Sequence, residues 1–241
     1  MALPEPVSAW NFDESSGNCA DSKGSNTLTN NNSMSYVAGL IGNAANVVAA
    51  SDKAPSITAA AQSGLIPVGS FTFNAWYNFK SNPNNTSSHL FSQWVGTGSR
   101  SMLISFDNYS GDPPQITCYI SPNSSTFYSC NYINTFSTNT WYMFTFVFTS
   151  STKIELFING SSVASNSTSI PAAVYQSGTG AFAFGSSIGG GDGVDLNMDM
   201  GAFFSQALTG AEITELYNSG AGKQYPYAAA FSRAPSMFSV L

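Results

Sequence analysis

The chain has 241 residues, only 8% of them charged, and a net charge of −6. Its seven cations stand singly (Lys23, Lys53, Lys80, Arg100, Lys153, Lys223, Arg233), so there is no basic footprint for nucleic acid. No run of about 18 apolar residues suggests membrane insertion, and 14% aromatic residues can supply a sizeable core.

The opening MALPEPVSAW has neither a basic n-region nor an apolar h-region. No secretory signal is therefore expected, and the chain is read as made in a host cytoplasm. VSAWNF (7–12) reads as a short strand, SSGNCADSKGSN (15–26) as a loop, and LIGNAANVVAA (40–50) has no clear period. In GSFTFNAWYNFK (69–80), Phe71, Phe73, Ala75, Tyr77 and Phe79 share one strand face, with Thr72, Asn74, Trp76 and Asn78 opposite. HLFSQWV (89–95) and RSMLISF (100–106) look like paired strands, and QITCYIS and TFYSCNYI like a hairpin. That hairpin carries Cys118 and Cys130, which either bridge across the strands or, as in a cytosolic product, stay reduced and buried. With Cys19 and the single His89 they make no zinc spacing.

TWYMFTFVFT (140–149) is apolar on both faces, as in a strand covered on both sides. KIELFINGSSVA (153–164) is a hairpin whose Asn159-Gly160 signals a type I′ turn. GAFAFGS (180–186) and LNMDMGAFFSQ (196–206) are the last strands, around a Gly-rich loop. LTGAEITELYNSG (208–220) then reads as a helix. Thr209 and Glu212 have capping-box spacing, and Gly220 is the expected left-handed stop. Turn signals every 8–12 residues indicate a β-sandwich or jelly roll.

Taken in order, AWNFDESSG, GLIGNAANV, GSFTFNAWYNF, the stretch from NTWYMFTFVF to LFINGSSVASN, FAFG and MDMGAFFSQALTGAEITELYNSG resemble the laminin-G-like, concanavalin A-like jelly-roll domains of bacteria and phages. The resemblance covers residues 7–222 and is most specific in the LFING hairpin and the closing L-T-x-x-E-I and Tyr-Asn-x-Gly phrases. It implies an all-β, two-sheet antiparallel jelly-roll sandwich with one short C-terminal helix. The domain then occupies 1–226 and a tail 227–241. It further implies a helix packed across an end or edge of the sandwich, sealed by Leu208, Ile213 and Leu216. In one departure, Tyr142 and Met143 stand where such domains often place a His.

Hydrolases of the resembled fold set two carboxylates on one strand, typically as Glu-x-Asp-x-x-Glu, and retaining chemistry needs them about 5–5.5 Å apart. Of five Glu, only Glu155 falls inside a strand, with no second carboxylate two or four residues away. No enzyme activity is expected. The resemblance also implies calcium as a candidate cofactor, with Asp13, Asp21 and Asp199 where such domains keep acids. Alternatively, Asp13 and Asp21 cap turns and Asp199 hydrogen-bonds a loop. Asp192 and Asp195 are a weaker pair.

Sugar sites stack rings on exposed aromatics. Trp94, Tyr109, Tyr119 and Tyr128 lie at strand ends or on loops and are the candidate ligand-binding residues, with packing as the competing role. The tail is apolar, and Tyr227, Phe231, Met237, Phe238 and Leu241 are its candidate docking residues, for its own domain or a neighbour. The whole reads as a non-catalytic structural or decoration protein of a virion, on a bacteriophage capsid or tail surface, touching host glycans. Its expected partners are other virion proteins or further copies of itself. The alternative is a stand-alone bacterial lectin-like module, outside the cell by a route without a signal peptide.

Overall fold

Alternating side chains and tight turns divide the chain into β1 (Ser8–Trp10), β2 (Thr29–Asn30), β3 (Ser35–Ala38), β4 (Asn43–Val47), β5 (Pro55–Ile57), β6 (Phe71–Phe79), β7 (Ser88–Trp94), β8 (Arg100–Asp107), β9 (Gln115–Ile120), β10 (Tyr128–Ile133), β11 (Trp141–Thr149), β12 (Lys153–Ile158), β13 (Ser161–Asn166), β14 (Phe182–Phe184), β15 (Leu196–Phe204) and the helix α1 (Gly210–Tyr217). The structure, a computed structural model, describes residues 2–49, 54–66, 68–81, 88–94, 98–107, 114–176, 181–186 and 193–227. Among these residues no helix is long and apolar enough to cross a membrane.

The first sheet runs β13-β12-β11-β6-β15-β4-β3, with β1 also on β15, and the second runs β10-β9-β8-β7-β14-β5-β2. Pairing is antiparallel throughout. This is the two-sheet sandwich expected of the sequence. The short strands β2, β3 and β5 carry too few residues to show a period and were not legible. Asn159 and Gly160 both take positive φ (51° and 79°), as a type I′ turn demands.

Between the sheets lies a core built by alternation. Phe71, Phe73, Ala75, Tyr77 and Phe79 of β6 meet Phe91, Met102, Ile104, Phe106, Ile116 and Cys118 of the second sheet. Phe73 stacks on Phe91 with centroids 3.9 Å apart, tying one sheet to the other. Trp10 is fully buried, and its indole N–H donates to the Asn26 carbonyl at 2.7 Å. Cys118 and Cys130 oppose each other in register on β9 and β10. Like Cys19 they are buried free thiols. Burial pushes the Cys19 thiol up to about 12 and, with Cys130 beside it, raises that of Cys118.

A second apolar cluster corrects the expected place of the helix. Trp76, Met143, Val147, Phe157, Met200 and Phe204 face outward from the first sheet, and Leu208, Ile213 and Leu216 cover them. Tyr217 stacks on Trp76 at 5.6 Å. The helix therefore lies over a sheet face rather than sealing an end, because that face is where unpaired apolar area awaits burial. The outer side of β11 is thus covered by this chain itself. The capping box forms between Thr209 and Glu212 as expected, but Asn218 (φ 48°), not Gly220, is the left-handed residue that ends the helix.

Candidate functional site

On the second sheet the side chains turned away from the core form a mixed aromatic and polar row. Met102, Ile104 and Phe106 of β8 point inward, so Leu103, Ser105 and Asp107 point out. On β9, Thr117 and Tyr119 share that outer face, opposite Ser105 and Leu103. The register between β7 and β8 slips after Gln93, so Trp94 comes to pair with Arg100. Such an irregularity re-aims side chains at a strand end. Ser124 Oγ accepts from the backbone N–H of Gly98 (2.8 Å) and Arg100 (3.2 Å), tethering the start of β8 to the turn before β10.

Trp94 is consequently surrounded. Its ring lies 5.0 Å from Phe127 and 5.9 Å from Tyr119. The Arg100 guanidinium carbon sits 5.6 Å from both the Trp94 and the Phe127 centroids. Trp94 and Tyr119 are half-buried, and Phe127 is 42% exposed. Tyr119 donates its hydroxyl to Asp107 Oδ2 at 2.7 Å, and Ser105 donates to Asp107 Oδ1 at 2.9 Å. Thr117 Oγ1 and Arg100 Nε are buried without a hydrogen-bond partner.

Of the aromatic candidates, the fold brings Trp94 and Tyr119 together. Tyr128 turns inward and packs against the main core, because it alternates in phase with Cys130. Tyr109 lies outside the described residues. Sequence reasoning missed Arg100, Asp107 and Phe127. Their only signal was a rare cation and an aromatic in the cysteine hairpin turn, neither pointing at Trp94. A separate recess of about 480 Å³, lined by Ser15, Asn18, Asn30 and Ser33 among others, offers no aromatic ring.

The acids do different work. Asp21 accepts four backbone N–H groups, from Ala9, Lys23, Gly24 and Asn26, and so caps a turn. Asp13 and Asp199 clasp the β3–β4 turn between them. Asp199 Oδ2 accepts from Leu40 N (2.9 Å) and Ile41 N (3.1 Å), while Asp13 Oδ1 accepts from Asn43 N (2.9 Å). Gln224 donates to Asp13 Oδ2. Gly42 at φ +63° leaves no room for a Cβ, which would sit 2.0 Å from Asp13 Oδ1. Asp199 is fully buried and its Oδ1 is unpartnered. Burial raises its carboxyl to about 7 against the pull of the Ile41 and Leu40 N–H groups, and the charge of Asp13 adds to the rise. Among the described residues no three His, Cys, Asp or Glu side chains group to hold a metal. N–H donors occupy the Asp21 oxygens and one Asp199 oxygen, and Asp13 is likewise engaged, so these residues do not fit a calcium ion as a set. Asp195 Oδ1 accepts from Ala49 N, and Asp192 lies outside the described residues.

Tyr227 stacks parallel to Phe204 at 6.4 Å on the outer face of the first sheet. Phe231, Met237, Phe238 and Leu241 lie outside the described residues.

These features define a class: an antiparallel jelly-roll sandwich with one helix on its first sheet and an aromatic row on the outside of its second. The profile of the concanavalin A-like lectin/glucanases superfamily, laminin G type 3, matches residues 51–214, and the chain belongs to this family. No curated protein matches it in sequence. It is similar to domain 4 of AbnA, a GH43 extracellular arabinanase from Geobacillus stearothermophilus solved in complex with arabinotriose, at 18% identity and TM-score 0.66, over 89% of this chain and 98% of that one. It is also similar to the botulinum neurotoxin serotype G binding domain (13% identity, TM-score 0.70, 88% of this chain and 50% of that one). The binding domain of Paraclostridial Mosquitocidal Protein 1 is comparable (14%, 0.67, 89% and 52%). The chain thus spans about half the length of these toxin domains. Such identities show the fold alone.

Proposed function

We propose that this chain is a non-catalytic carbohydrate-binding jelly roll whose ligand lies on the outer face of the second sheet. The observation that carries this reading is the row Phe127, Trp94 and Tyr119, half-open rings on one face with hydrogen-bonding groups beside them. A pyranose or furanose ring stacks its C–H face on such rings at little cost in entropy, and the buried Asp107 orients one of them, Tyr119, through its hydroxyl. The similar arabinanase domain, solved with arabinotriose, supports a sugar as the ligand class. The non-catalytic part is supported by Glu155, which is ion-paired with Lys153 and accepts from Ser162 rather than facing a second carboxylate. Trp94→Ala is expected to weaken retention on immobilised glycans roughly tenfold, because aromatic anchors dominate such contacts. Affinity electrophoresis of the folded variant across a polysaccharide panel checks this, and unchanged mobility on every retained polysaccharide would place the site elsewhere.

The setting we propose for it is the surface of a virus particle, as a bacteriophage decoration or tail element. The low charge and the apolar stretch after Tyr227 support this reading. So does the position of Tyr227, on the opposite side of the sandwich from the aromatic row. A tail held there would bind a neighbour while the sugar face looks outward. Gradient sedimentation from producing cells should find the chain with large particles. Recovery only as a free chain at the top of the gradient would favour the stand-alone bacterial module.

A further inference from the structure

We infer that the glycan recognised by this face carries a carboxylate, taken by Arg100 between Trp94 and Phe127. This inference rests on the carbohydrate reading above. Arg100 is a partly buried cation that forms no ion pair among the described residues. The ion pairs among the described residues use Lys23, Lys153 and Lys223, and Arg100 Nε is buried with no hydrogen-bond partner. A charge drawn out of water is costly unless it is paired. Two rings within 5.6 Å offset part of that cost, but they leave the buried Nε–H donor unpaired. A guanidinium presents its donors in a planar fork that fits a carboxylate in two parallel bonds. The rings that flank it are the surface on which a sugar would stack, so the acid group and the sugar ring are recognised together.

The remainder of the face sets a direction. Contacts run from Arg100 to Trp94, to Tyr119 and on to Asp107. The row therefore has a cation at one end and a carboxylate at the other. At the Asp107 end, the buried Thr117 hydroxyl lacks a partner and stands across from Ser105. Ser105, Asp107 and Thr117 are themselves buried, so the Asp107 charge acts on a ligand through the Tyr119 hydroxyl it holds and disfavours a second acid beside that ring. The ligand so described is a short oligosaccharide with its acidic residue over Trp94 and a neutral residue toward Tyr119.

The test uses the full chain and a panel of uronate- and sialate-bearing oligosaccharides, each paired with its carboxyl-reduced neutral form, together with sulfated and plain neutral oligosaccharides. Binding is read by titration calorimetry. The expected result is at least roughly tenfold tighter binding of the carboxylated member of a pair, weakening with added salt. Arg100→Gln should erase that preference, the carboxylated and reduced members of each pair then binding alike, and Arg100→Lys should keep part of it. Both variants retain the backbone N–H that Ser124 accepts, and their thermal melts verify folding. Equal binding of both members, a preference for sulfated members, or a carboxylate preference untouched in Arg100→Gln would each overturn the inference and leave the carbohydrate reading standing. A folded chain that binds no member of the panel would overturn both.

Discussion

Phe73→Ala is expected to lower the unfolding free energy by about 3–5 kcal/mol. Phe73 is fully buried in the first half of β6, and its ring lies 3.9 Å from Phe91 of the other sheet and 5.6 Å from Phe184. The alanine variant removes the shortest of several aromatic contacts between the sheets, others being Phe79–Phe106 and Phe182–Phe203, and leaves a cavity between two fixed backbones, which cannot close up over it. For a domain of this size the loss corresponds to a fall in Tm on the order of 10 °C. Phe73→Leu refills most of the volume and should cost about 1–2 kcal/mol. Urea titration of the three proteins measures both differences. A loss below about 1 kcal/mol for Phe73→Ala would show that the sheets are held together elsewhere.

The second large effect is a dependence on pH. Burial raises the Asp199 carboxyl from an ordinary 3.8 to about 7, with the Ile41 and Leu40 N–H groups opposing the rise. A group whose pKa is raised on folding holds its proton more tightly in the folded state. Its contribution is complete below the unfolded value and is lost as pH climbs through the folded one. The native chain should therefore lose stability between about pH 4 and pH 7, by at most about 4 kcal/mol from this group. Asp199→Asn keeps an oxygen for the Leu40 and Ile41 N–H groups and cannot ionise. It should match the native chain near pH 4 and be the more stable of the two near pH 8. Glu5 and Glu215, whose exposed carboxyls are lowered chiefly by their Lys23 and Lys223 partners, act in the opposite sense but are common to both proteins. Denaturation at several pH values yields the difference, and a difference constant from pH 4 to pH 8 would show that Asp199 does not titrate in this window.

The acidic candidates show how far residue identity carries. That Asp13, Asp21 and Asp199 matter was legible only through the family resemblance, which keeps acids at these positions. What they bind was not. Asp21 meets backbone donors within a few residues, as a turn-capping aspartate does. Asp199 meets Leu40 and Ile41 from far along the chain, a contact fixed only once β15 lies beside β4. The aromatic candidates divide similarly. Tyr119 and Tyr128 look equivalent in the sequence, yet the pleat of β9 sends one outward and that of β10 sends the other inward.

The sequence alone determined what is local. The alternation of β6, the positive φ at Asn159 and Gly160, and the Thr209–Glu212 capping box each depend on neighbours a few residues apart, and each is present in the fold. The tertiary structure decided what lies across the chain. The helix covers Trp76 and Phe204 because sheet pairing leaves their face bare, and Trp94, Arg100 and Phe127 meet because a register slip and the Ser124 tether aim them at one another. Such contacts depend on which strands pair and in what register, and a one-residue change in register turns every side chain to the opposite face.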